Sequence, residues 1–73
     1  MMTGIDKYNA AKEELYDLMV NGRRQVSEKI RIARSLGDLS DNPAYDAAKE
    51  EQRMIEDRID ELKSLLKELS HPT

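Results

Sequence analysis

The 73-residue chain has no cysteine, no tryptophan and no phenylalanine, and it holds only two prolines and three glycines. Without cysteine, neither a disulfide framework nor a thiolate metal centre can reinforce a small core. A domain of this length removes only about 60% of its chain surface from water, so a large enclosed catalytic pocket is not expected. No apolar run approaches the roughly 20 residues that span a bilayer. The start, Met1-Met2-Thr3-Gly4-Ile5-Asp6, lacks the basic and apolar regions of a secretory signal. These features point to a cytoplasmic protein with no membrane partner. Charge is uneven: residues 1–36 carry seven Lys/Arg against five Asp/Glu, and residues 37–73 carry five against ten. The net −3 argues against nucleic-acid binding over the whole surface.

The scarcity of breakers gives the few that exist their meaning. The strong interruption is Gly37-Asp38-Leu39-Ser40-Asp41-Asn42-Pro43, and both flanking segments are rich in helix formers. Helix one is expected over about 4–36, opened by the Thr3/Asp6 capping signal and closed by a left-handed Gly37. Helix two is expected over about 43–69. Asp41 or Asn42 can cap it, and Pro43 suits its first turn. In helix two, Tyr45, Ala48, Gln52, Ile55, Ile59, Leu62, Leu66 and Leu69 alternate in steps of three and four, which is the seam of a coiled coil. Met54 lies off that seam. In helix one, Ile5, Tyr8, Leu15, Leu18, Gly22, Val26, Ile30, Ala33 and Gly37 form a facing stripe. Gly22 there permits close helix approach at a propensity cost of about 1 kcal/mol relative to alanine.

The fold class is therefore all-α: an antiparallel two-helix coiled-coil hairpin with an acidic tip loop at 37–42, forming a rod about 40–50 Å long. A hairpin this thin is marginal alone. A weak homodimer or a third helix would also cover the leucines near the open end, and periodicity by itself fits a purely structural coiled-coil module. His71 has no ligating side chain at metal spacing beside it.

The tip carries more information than the heptads. The stretch Ala33-Arg34-Ser35-Leu36-Gly37-Asp38-Leu39-Ser40-Asp41-Asn42-Pro43-Ala44-Tyr45-Asp46-Ala47-Ala48-Lys49-Glu50-Glu51-Gln52 resembles the signature A-R-x-x-G-D-L-x-E-N-x-E-Y-x-A-A-R/K-x-x-Q of bacterial Gre-type transcript-cleavage factors. The likeness extends outward through Arg23-Arg24 and Ile30, and through Glu56, Arg58-Ile59 and Leu62. It implies the N-terminal domain of an elongation factor, reaching through RNA polymerase's secondary channel and stimulating cleavage of backtracked RNA without being an enzyme itself. It further implies that Asp38 and Asp41 help hold a magnesium ion shared with the polymerase, that Gly37, Asn42 and Tyr45 shape the tip, and that Arg34 and Lys49 meet the 3′ end of the extruded RNA.

Simpler roles exist for these residues: Asp41 as a cap, Asp38 as a turn residue, Arg34 and Lys49 as solvated charges. The chain departs from the signature in three places. Asp41 is one methylene shorter than the usual Glu, Ala44 replaces a Glu, and Pro43 stiffens the start of helix two. A regulator that occupies the channel without promoting cleavage is the alternative these departures suggest. Family members continue into a C-terminal polymerase-docking domain, for which this sequence carries no counterpart.

Overall fold

The structure is a computed structural model that describes residues 3–37 and 41–70. Its elements are α1 (Gly4–Asp17), a π-helical turn (Leu18–Gly22), α2 (Arg23–Ser35) and α3 (Pro43–Ser70). The first three run without a break and form one arm, against which α3 packs as the other. The molecule measures 52 × 18 × 18 Å with a radius of gyration of 16.2 Å. A compact globule of this length would be near 11 Å, so the chain is a helical hairpin and a rod. No helix among the described residues is long and apolar enough to cross a membrane.

Local chemistry sets the ends. Thr3 and Asp6 make a reciprocal capping box: the Asp6 N–H donates to Thr3 Oγ1 at 3.1 Å, and the Thr3 N–H donates to Asp6 Oδ2 at 3.2 Å. At the other end of the arm, Gly37 takes φ +122°, a conformation that side chains strain against, so the helix stops there.

The core is one seam deep. Ala11, Val26, Ile30 and Ala33 from the first arm meet Ala48, Ile59 and Leu62 from α3, and Ile59, Leu62 and Val26 are almost completely enclosed. Three expected seam positions behave otherwise. Ile5, in the first turn of α1, is 74% exposed. Leu69, in the last turn of α3, is partly open, and Gly37 lies beyond the last seam layer and is exposed. Ala11, not anticipated in the stripe, fills the step between Tyr8 and Leu15.

The π turn is the feature that periodicity did not anticipate. The Arg23 N–H donates to the Leu18 carbonyl, five residues back. Counting along the seams gives the cause. From Ala11 to Ala33 the first arm spends 22 residues on six seam steps, whereas α3 spends 21 on six steps from Ala48 to Leu69. One surplus residue must be absorbed, and the wider turn absorbs it while leaving Val26, Ile30 and Ala33 facing α3. Gly22 closes that turn, with its Cα direction pointing at Leu18 and Ile55: a β-carbon there would come within 3.3 Å of Leu18 Cδ2 and 3.8 Å of Ile55 Cδ1.

Among the described residues, three ion pairs cross the hairpin and stitch its register. Glu14 meets Arg58 through two bonds of 2.7 and 3.0 Å, Arg23 meets Glu56 through two of 2.9 and 2.8 Å, and Lys29 meets Glu51 at 3.0 Å. The first two flank the π turn. Within single arms, Glu28 pairs with Arg31, and Arg53 pairs with both Glu50 and Asp57. Hydrogen bonds from Arg58 and Arg23 hold the Glu14 and Glu56 carboxyls below the ordinary glutamate value of 4.5.

The unfolded chain then binds protons more readily than the folded one as pH drops through that region. The stabilisation from these pairs is complete above pH 4.5 and is lost as pH falls through the lower folded values. Because both pairs are nearly half exposed, added salt should weaken them too. Urea titrations at about pH 7 and about pH 3, with and without roughly 1 M salt, should show a lower midpoint in acid and a smaller acid effect in salt. Equal midpoints would remove the pairs from the account of stability.

Candidate functional site

The tip is where the two arms converge, and Asn42 organises it. Its Oδ1 accepts the Tyr45 N–H at 3.1 Å and its carbonyl accepts the Asp46 N–H at 3.1 Å, so it caps α3. Of the two residues that could have taken this duty, the geometry selects Asn42. Its Nδ2 also donates to the Ala33 carbonyl of the first arm at 2.7 Å. That carbonyl lies in the last turn of α2 and also accepts the Leu36 N–H at 3.1 Å, so it takes one bond from its own helix end and one across the hairpin. Asn42 is 7% exposed, the one buried polar residue among those described.

Asp41 sits immediately before this anchor and is exposed to solvent. Asp38 lies outside the described residues, as does His71. The structure therefore places one of the two expected metal-binding carboxylates, on the outer surface of the tip. Among the described residues no group of three or more histidine, cysteine or carboxylate side chains converges as a metal site.

The two flanks of the seam near the tip differ in chemistry. On one, the Arg34 guanidinium lies over the Tyr45 ring, 5.9 Å from its centroid, a cation–π distance. Tyr45 is half-buried, and its N–H is the one capped by Asn42. Lys49, about one turn further along α3, donates from Nζ to Gln52 Oε1 at 2.9 Å. Arg34 and Lys49 are both exposed, so their charges face solvent on the flank that carries Tyr45. The opposite flank is an apolar groove of about 280 Å³ lined by Ile32, Leu36, Ala44 and Ala47, and bordered by Lys29 and Glu51.

The structure thus brings Arg34, Asn42 and Tyr45 into one connected cluster beside Asp41. Lys49 follows on the same flank, its ammonium hydrogen-bonded to Gln52. Two of these links escaped the sequence reading. The Arg34–Tyr45 contact spans the turn, and only a tight connection brings the two residues together. The Asn42–Ala33 bond uses the half of the amide that a cap does not need; the hint in the sequence was an asparagine where aspartate, serine or threonine would have capped equally well.

The family described as "Transcription elongation factor, N-terminal" matches residues 1–70. A protein named transcription elongation factor GreA from Lachnoclostridium phytofermentans is 59% identical over 56 residues, which are 77% of this chain and 35% of that protein. The GreA of Chlorobaculum tepidum is 54% identical over 61 residues, 84% of this chain and 38% of the relative. The GreA of Bacillus cereus is 50% identical over 56 residues, again 77% and 35%. No solved structure matches the chain. The chain spans somewhat more than a third of the length of these relatives. With the match running through both arms and the tip between them, this helical hairpin belongs to the N-terminal domain family of the Gre transcription elongation factors.

Proposed function

We propose that the hairpin enters the secondary channel of bacterial RNA polymerase and, with Asp38 and Asp41 at its tip, stimulates the polymerase to cleave backtracked RNA. The observation that carries this reading is shape joined to chemistry: a rod 52 Å long and 18 Å thick that ends in an exposed carboxylate, Asp41. A probe of this form delivers a charged group into a narrow space where a globule of equal mass would not fit. The chain supplies no nuclease of its own, and the hydrolytic centre belongs to the polymerase.

Magnesium suits the donors at the tip, since hard cations take carboxylate oxygens and often only one or two from any one protein. Asp38 and Asp41 would hold the ion together with ligands from the polymerase and RNA, and a second ion there would stabilise attacking and leaving oxygens. Alone, the tip is expected to hold it weakly, because two carboxylates on an exposed turn leave most of the ion's shell to water. Arg34 and Lys49 face solvent near the same end and are assigned to phosphates at the 3′ end of the extruded RNA, where they position rather than read sequence.

The test is cleavage of backtracked elongation complexes at saturating protein over a range of Mg²⁺ concentrations. Asp38→Asn and Asp41→Asn should each keep the parent's helicity and polymerase binding. Cleavage should fall by roughly ten-fold or more, the scale of a misplaced or missing reacting group, with added Mg²⁺ partly restoring the weaker defect. Curves that superimpose on the parent would remove the tip from the chemistry. Unchanged cleavage joined to an altered effect on initiation would instead favour a channel-occupying regulator.

A further inference from the structure

We propose that Asn42 is a positioning residue for Asp41, and that its amide, bridging the two arms, fixes where that carboxylate stands. The proposal rests on the reading of Asp41 given above.

Capping accounts for only part of what Asn42 does. A cap needs one acceptor aimed at the first turn of the helix, and serine, threonine and aspartate supply it about as well as asparagine. Here the acceptor is used on the Tyr45 N–H, and the amide nitrogen makes a second bond at 2.7 Å to Ala33 O. The two bonds define the orientation of the amide. Reversed, its oxygen would face the Ala33 carbonyl and its nitrogen would face the Tyr45 N–H, two repulsions in place of two bonds. The bridge uses two atoms on opposite sides of a short side chain: aspartate has no donor, and serine has a single oxygen, which the cap occupies. The bond also crosses the hairpin, joining residues nine apart on different arms, in a site closed to water.

Asp41 is the neighbour of this anchor in the chain. Asn42 is held at its carbonyl by Asp46 and at both ends of its side chain, by Tyr45 and Ala33. The backbone leaving Asp41 is therefore tied to both helix ends at once, while the Asp41 side chain stays in solvent. A carboxylate that must meet an ion and water inside another protein acts well only if its position is set beforehand, because a displacement of about 1 Å can cost on the order of a hundred-fold in rate.

The deciding variant is Asn42→Ser, which keeps the cap and loses the bridge. Asn42→Asp serves as a second variant with the same loss and a better match in size. In the free chain, helicity should match the parent, while the {¹H}–¹⁵N NOE of the Asp41 amide should fall, reporting a looser backbone. With backtracked polymerase complexes, affinity for the polymerase should be unchanged. Cleavage at saturating protein should drop about ten-fold, with a higher Mg²⁺ requirement, which is a displacement smaller than the full penalty above.

A serine variant with the parent's NOE and the parent's cleavage would overturn the proposal. So would a loss of helicity or polymerase affinity that tracks cleavage in both variants, since Asn42 would then be structural only. Asp41→Asn is run in parallel. If it cleaves like the parent, the functional reading of Asp41 falls and takes this proposal with it; if it is impaired while Asn42→Ser is not, only the positioning role is lost.

Discussion

Truncating Ile59 to alanine is expected to cost about 2–5 kcal/mol, the range for removing a fully packed aliphatic side chain. Ile59 is 0% exposed, the most enclosed of the core residues among those described. At roughly 0.05–0.15 kcal/mol per residue, a chain of 73 residues has only about 4–11 kcal/mol in total. One side chain therefore carries a large share of the stability. A second layer behind the seam would spread such a loss, and a two-helix rod has none. The check is the urea midpoint and melting temperature of Ile59→Ala beside Met54→Ala, whose side chain is 60% exposed and should leave both nearly unchanged. If the two variants melt together, Ile59 is not the centre of the core.

Removing one residue from the first arm should have opposite consequences depending on where it is taken. Deleting Val20, which is exposed within the π turn, discards the surplus residue, so the turn can close as ordinary α-helix with Val26, Ile30 and Ala33 still facing α3. Stability should hold or rise, because the wide turn is the less favourable of the two geometries. Deleting Ser27, equally exposed but beyond the turn, cannot be repaired in the same way. If the turn closes to compensate, Asn21 falls in the place of Gly22 against Leu18 and Ile55, and Gln25 falls in the place of Val26. Burying that amide without a partner costs about 1–3 kcal/mol, and the apolar burial of Val26 is lost as well, worth about 1.5–3 kcal/mol for a fully enclosed side chain. Thermal melts of the two deletions should lie far apart. Similar melting of both would mean that the π turn does not set the register.

The hairpin was legible in the sequence because its signals are local and agree with one another. The Thr3/Asp6 box, Gly37 and the Asn42-Pro43 pair each mark a boundary by side-chain or backbone chemistry that acts within four residues. The seam of α3 is a regular alternation from Tyr45 to Leu69. What periodicity alone did not convey was a mismatch between two stripes. The first arm reads as an acceptable apolar stripe on its own, and its extra residue emerges only when its steps are counted against those of α3. The site divides along the same line. The signature across the turn pointed to the tip and to Asp41, Asn42 and Tyr45. The Asn42–Ala33 bridge and the stacking of Arg34 on Tyr45 depend on how closely the ends of the two arms approach, a distance that residue types do not encode. Ile5 shows the converse error: its spacing is right for the stripe, yet it is left exposed in the first turn of α1.

The short span of the Asn42 bridge also bears on how the rod assembles. It joins residues nine apart, whereas Lys29 and Glu51 are 22 apart, Arg23 and Glu56 are 33 apart, and Glu14 and Arg58 are 44 apart. The entropy lost in closing a loop grows with its length, so each contact formed from the tip outward shortens the loop that the next one must close. Taken in that order, every step is a local event on the scale of adding a helical turn, while pairing the open ends first would require ordering most of the chain at once. The hairpin is thereby built to zip from the tip and to fray from the far end, leaving the segment beside Asp41 among the first to form and the last to come apart.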